Sequence, residues 1–298
     1  MELKRVVVTG LGAITPLGND VPSFWNGLVN GVSGAARITK FDPTNFKTQF
    51  ACEVKGFDVS QFLERRDSRK MDLFAQYAIA CSDEAIADAG LDGENPPLDQ
   101  DRVGVIWGSG IGGFQTFMNE ALNFHENGGF PRFSPFFIPM MISDIAAGHI
   151  SIRHGYRGPN FCTVSACASG TNAMIDAFNY IRLGKAEIMV TGGSEAAGTE
   201  GGSGGFNALK ALSTRNDDPA RASRPFDATR DGFVLGEGGG AIIFEEYEHA
   251  LARGAKIYCE VAGGGMSADA HHITAPHPEG LGALNVMRAA LDDAEMSP

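Results

Sequence analysis

Residues 161–184, FCTVSACASGTNAMIDAFNYIRLG, carry one cysteine at the point where an apolar extended run meets a helical pattern. Thr163 and Val164 end the extended run, and Ala168, Ser169, Gly170 and Thr171 are small enough for a tight strand-to-helix turn. A side chain projecting from such a turn faces the unsatisfied N–H groups and positive dipole end of the helix, where a thiolate is favoured. Beyond Ala173, the residues Met174, Ile175, Ala177, Phe178, Ile181 and Leu183 cover adjacent stripes, which predicts a helix contacted on more than one side. Local spacing leaves two readings of Cys167, an activated nucleophile and a small apolar core residue.

Working outward, the flanking segments alternate between strand and helix. Arg5–Thr9 predict a buried strand that ends in a glycine turn, with Phe24–Leu28 in the following helix. The stretch 60–90, SQFLERRDSRKMDLFAQYAIACSDEAIADAG, predicts one long amphipathic helix ending at Gly90. A linker is expected at 92–101, then an apolar strand and GSGIGG. Next come the aromatic, proline-rich run 114–141, a helix over 142–156, the nucleophile turn, the strand EIMVTGGSE and a glycine-rich loop region over 198–240. A strand AIIFEE, a helix EYEHALARG, a strand over 258–265 and a helix over 281–294 complete the pattern.

Two glycine patterns resemble dinucleotide loops. At the first, GLGAIT, Thr15 stands where the third glycine belongs and no acidic residue follows at a strand end. At the second, Gly108, Gly110 and Gly113 have GxGxxG spacing, but the aromatic run after them predicts an apolar wall rather than a phosphate-supporting helix.

Composition narrows the classes. The 298 residues are 43% hydrophobic, enough for a substantial core, and a net charge of −12 argues against nucleic acid and anionic membranes as partners. Five cysteines without a CxxC pair fit a reducing, cytoplasmic compartment, and no apolar run has the length of a membrane span. Arg65, Arg66, Arg69 and Lys70 form the densest basic cluster. They read either as a solvated helix face or as a docking point for an acidic partner.

The motifs VVVTGLGAITPLG, GSGIGG, SPFFIP, ACASGTNA, LSTRNDDP, SRPFDATRDGFVLGEGGGAIIFEE and GAKIYCEVAGGGMSADAHHITAP follow one another as in β-ketoacyl-acyl-carrier-protein synthases, and the sequence most resembles their elongating type. That resemblance implies a thiolase-like α/β fold of layered α-β-α-β-α architecture with five-stranded mixed sheets. Residues 1–250 would form the N-terminal half and 251–298 the start of the C-terminal half. It implies that Cys167 is the acylated nucleophile and its backbone N–H one oxyanion donor, that Ile111 and Phe206 line the acyl pocket, and that Arg66, Arg69 and Lys70 meet the acyl carrier protein. It implies acyltransferase chemistry in fatty acid biosynthesis, homodimerisation, and neither cofactor nor metal.

The family's two decarboxylation histidines lie in motifs like HGTST and GHTxGAAG, which this sequence does not contain. His271, His272 and His277 read as loop histidines. The expectation is therefore acylation at Cys167 without full condensation by this chain alone, with Met174, Ile175 and Phe178 left partly uncovered. Three alternatives are an NAD(P)-dependent reductase, resting on the glycine patterns, a thiolase acting on coenzyme A esters, and a non-catalytic partner subunit of the same fold. The STRND and DGFVLGEG runs and the retained cysteine favour the synthase.

Overall fold

The computed structural model describes residues 3–93 and 98–298. The expected linker at 92–101 lies partly outside the described residues.

In chain order the elements are β1 (Val6–Ile14), α1 (Val21–Val29), β2 (Ala36–Arg37), β3 (Phe50–Ala51), α2 (Arg65–Ser68), α3 (Leu73–Asp88), β4 (Val103–Gly108), α4 (Phe114–Glu126), α5 (Phe137–Met141) and α6 (Ile145–His154). They continue with β5 (Asn160–Thr163), α7 (Ser169–Arg182), β6 (Ile188–Glu195), α8 (Glu200–Ala208), β7 (Gly238–Glu246), α9 (Tyr247–Ala252), β8 (Cys259–Val261) and α10 (Leu281–Asp293). The main sheet has the order β5-β4-β6-β7-β1-β8. β5, β4 and β6 are parallel, and β7 runs against both β6 and β1. These five strands make the mixed sheet the sequence implies, and the three-residue β8 adds a sixth, antiparallel to β1.

Period-two alternation builds a core on each face. Val105, Trp107, Val190 and Ile243 point toward α3 and α6, whereas Val6, Val8, Ile106, Met189 and Phe244 point toward α7. The result is an α-β-α sandwich with α7 on the face opposite α3.

Several expectations are corrected. β1 does not stop at Thr9 but continues through the glycines to Ile14, with a register shift between Val8 and Gly10. Its glycines are there because α3 crosses the strand: a Cβ on Gly12 would lie 1.9 Å from the Cys81 carbonyl oxygen, and one on Gly10 2.1 Å from that of Ala85. The helix expected over 60–90 is broken before α3. Asp72 is extended there, its carboxylate accepts from the Thr116 amide and hydroxyl, and the Gln76 amide caps the carbonyls of Ser68 and Met71. α3 itself is buried nearly all round rather than amphipathic. The aromatic run contains a 13-residue helix, α4, and the glycine-rich loop region contains α8, capped by the Thr199 hydroxyl on the Gly202 amide. Finally, Phe178 is buried at 4% exposure, packed in the core under α7 with the Arg182 guanidinium over its ring. Met174 and Ile175 are half-buried.

The segment after α9 is tied back through β8 and through an Arg182–Asp293 ion pair of 2.8 Å, and Gly263 and Gly265 let α10 approach the backbone closely.

Candidate active site

β5 ends at Thr163 and α7 begins at Ser169, so five residues turn the chain from strand to helix. Ala166 adopts φ 50°, a left-handed conformation that is uncommon without glycine, and Cys167 follows it, exposed at the tip of the turn. The core reading of Cys167 is thus set aside. The turn is held by its own polar groups. The Ser165 amide donates to Ser169 Oγ at 2.9 Å, that hydroxyl donates to the Ala166 carbonyl at 2.7 Å, and Thr163 Oγ1 donates to the Ser169 carbonyl at 2.7 Å. Asn172 adds a bond to Ser165 Oγ at 2.7 Å.

Beneath the turn the chain is nearly free of side chains. A Cβ on Gly108 would sit 2.4 Å from the Gly170 nitrogen, and one on Gly193 would sit 3.1 Å from the Gly170 Cα. The glycines of GSGIGG serve the same close packing. Gly110 lies against the Ala166 carbonyl, while Cβ atoms on Gly112 and Gly113 would reach the Met141 and Met140 carbonyls at 2.5 and 2.1 Å. The Gly110 and Ile111 amides, which a dinucleotide loop would offer to phosphate, donate instead to Glu195 Oε2, a physical argument against reading this GxGxxG as a dinucleotide loop.

Cys167 opens into a cavity of about 1210 Å³ at the end of the sheet where β4, β5, β6 and β1 terminate and β7 starts. Ligand sites of open α/β sheets lie at such carboxyl ends. Ile111 and Phe206 line the same cavity, with Phe233 edge-on to Phe206 at 5.3 Å between ring centres. Ile111 also lines a second, apolar cavity of about 620 Å³ with Phe114, Phe117, Met141 and Ile142. No histidine is among the described residues lining either cavity.

This geometry has close counterparts. Residues 3–250 match the family model described as β-ketoacyl synthase, N-terminal domain. The chain belongs to the β-ketoacyl synthase family. It is 50% identical over its full length to 3-oxoacyl-[acyl-carrier-protein] synthase 2 of Synechocystis, of which it covers 71%. It is 48% identical over 99% of its length to the synthase of the same name from Staphylococcus aureus, covering 70% of that protein. Among solved structures, a β-ketoacyl synthase from Burkholderia phymatum superposes with a TM-score of 0.88 at 34% identity, over 98% of this chain and 71% of that one. A type II polyketide ketosynthase solved with its acyl carrier protein and a hexaketide gives a TM-score of 0.84 at 32% identity, over 99% of this chain and 71% of that one. The fold is the thiolase-like fold of these enzymes, and the family's chemistry is acyl transfer.

In this β-ketoacyl synthase chain the basic cluster is separate from the cavity lining. Arg66 and Arg69 are exposed, while Lys70 is half-buried, with Nζ 2.7 Å from Asp67 Oδ1 and over the Phe136 ring. His271 and His272 are exposed, His277 is half-buried, and all three lie outside the cavity lining. The Nδ1 atoms of His272 and His277 accept amide hydrogen bonds within their own loop.

Sequence reasoning missed two parts of the synthase site. One is Ser169, which holds the turn. The other is Glu195, the last residue of β6, whose carboxylate accepts from the Gly110 and Ile111 amides at 2.8 and 3.0 Å. Burial pushes this carboxyl above its usual range against the pull of those amides. A carboxylate ending the apolar strand EIMVTGGSE was the available signal, because such a group needs buried donors.

Proposed function

We propose that this chain performs the acyl-loading chemistry of a 3-oxoacyl-[acyl-carrier-protein] synthase, the activity named for its curated relatives, with Cys167 as the acylated residue. The observation that carries the reading is Cys167 at a strained strand-to-helix turn, opening into one cavity with Ile111 and Phe206. In this reading the thiolate attacks the carbonyl of a fatty acyl thioester on the carrier's pantetheine arm. The new S–C bond forms on Cys167, the pantetheine sulfur leaves and takes up a proton, and the Cys167 backbone N–H is one donor to the transient oxyanion. Ile111 and Phe206 line the space for the acyl chain. Malonyl carrier then loses carbon dioxide, and the resulting carbon nucleophile attacks the acyl-enzyme carbonyl, forming a C–C bond as the Cys167 S–C bond breaks and the thiolate leaves, which lengthens the chain by a two-carbon unit. The side chains described here support the first of these half-reactions.

Arg66 and Arg69, exposed on an otherwise acidic protein, are the proposed landing point for an acidic carrier protein, with Lys70 beside them. The homodimer that the resemblance implies would use the outer edge of β5, whose one neighbour in the sheet is β4. Phe117, Phe130, Phe133 and Ile138 are exposed apolar residues that such an interface would cover. The reducing, cytoplasmic setting is supported by five free cysteines.

The decisive experiment is intact-mass analysis of the purified chain after incubation with an acyl carrier thioester. One acyl group should appear on the Cys167 peptide and none on Cys167→Ala. Acylation of the alanine variant at the same rate would defeat the reading. For the dimer, light scattering should show twice the chain mass, falling to the single-chain mass in Phe133→Asp.

A further inference from the structure

Ile111 stands between the two cavities, and at 40% exposure its side chain is poorly held by packing. Its position is instead fixed through its backbone. Glu195 Oε2 accepts from the amides of Gly110 and Ile111, and Oε1 accepts from the Ser109 hydroxyl at 3.4 Å. The Ser109 oxygen in turn accepts from the Gly112 amide at 3.1 Å. One half-buried carboxylate therefore gathers Ser109, Gly110 and Ile111 directly, and Gly112 through Ser109.

We propose that Glu195 is a positioning residue for acyl-chain selection, holding Ile111 as the partition between the Cys167 cavity and the apolar cavity beyond it. The inference rests on Cys167 being the acylated residue. A short acyl chain stays within the cavity that holds Cys167 and is indifferent to the partition. A long chain that extends past Ile111 enters the space lined by Phe114, Phe117, Met141 and Ile142, and that passage depends on where the loop is held. The loop is also packed closely by Gly110 against the turn and by Gly112 and Gly113 against α5, where the Gly113 amide donates to the Met141 carbonyl at 2.9 Å.

The test measures single-turnover acylation of Cys167 by butyryl, octanoyl, dodecanoyl and hexadecanoyl carrier thioesters, read by intact mass. Glu195→Ala should change the ratio of long-chain to short-chain rates by about tenfold, since a displacement of order an ångström is enough to alter reactive positioning. Glu195→Gln, whose carbonyl can accept the same two amides, should keep the wild-type ratio. Ile111→Ala should shift the ratio in the same direction as Glu195→Ala. An equal fall at every chain length, or an unchanged ratio, in a Glu195→Ala variant with a normal melting transition overturns the proposal. If that variant does not fold, Ser109→Ala decides, by shifting the ratio or leaving it unchanged. Absence of Cys167 acylation in the wild-type chain with every thioester would instead refute the function on which the proposal rests.

Discussion

Ser169 does more for the turn that carries Cys167 than its neighbours in sequence. Its hydroxyl accepts from the Ser165 amide and donates to the carbonyl of Ala166, the residue that carries the left-handed backbone. In Ser169→Ala the Ser165 amide loses its acceptor in a part-buried setting, which costs about 1–3 kcal/mol. The expected outcome is a lower urea midpoint together with slower alkylation of Cys167 by iodoacetamide, because the strained turn loses its brace. An unchanged alkylation rate would show that the turn is held without it. The strand-to-helix turn at Cys167 was legible from the small residues around it, which by themselves left both an activated nucleophile and a core cysteine open. The role of Ser169 was not, since a serine among small residues looks like mere permissiveness until its hydroxyl is seen bridging two backbone groups.

Strands and helices divide according to how much their contacts depend on distant partners. β4, β6 and β7 were legible because an apolar run bounded by glycine needs no further information. β1 was cut short because its glycines read as a turn, whereas they are the track on which α3 lies. α8 was missed because EGGSGGFNA has poor helix propensity, and the Thr199 cap together with close approach of Gly201 to Met118 overrides it. Glycine substitutions separate these cases. Gly12→Ala places a methyl 1.9 Å from the Cys81 carbonyl and should destabilise the chain by about 3 kcal/mol or more, since neither backbone can yield. Gly205→Ala, inside α8 with nothing within 4 Å of the added carbon, should stabilise it by about 0.5–1 kcal/mol. Thermal melts of the two variants test both signs at once.

The whole molecule is laced by a buried ionic cluster that joins three elements. Glu245, on β7, receives the Arg253 guanidinium at 2.6 Å through both oxygens and the His249 ring of α9 at 2.6 Å, and Arg253 also donates to the Ala89 carbonyl at the end of α3. The hydrogen bond to Glu245 raises His249, partly offset by burial. Burial alone would raise Glu245, but its bonds to Arg253 and His249 prevail and lower it. A raised histidine contributes stability that is complete below about pH 6.5 and is lost as pH climbs through its folded value. A lowered carboxylate contributes stability present above about pH 4.3 and lost as pH falls through its folded value. The urea midpoint should therefore decline on both sides of this interval, and His249→Gln should remove the alkaline decline while sparing the acid one. Retention of both declines would assign the alkaline decline to other groups.

The stack of Gly108, Gly170 and Gly193 under Cys167 also bears on how steadily the proposed nucleophile is held. Side-chain floors carry rotamer entropy, so a nucleophile resting on them shares their hopping and shifts when a neighbour is exchanged. A floor of bare backbone has no χ angles to sample. The position of Cys167 is consequently decoupled from side-chain rearrangement in the cores on either face of the sheet, and its alignment is set once, during folding.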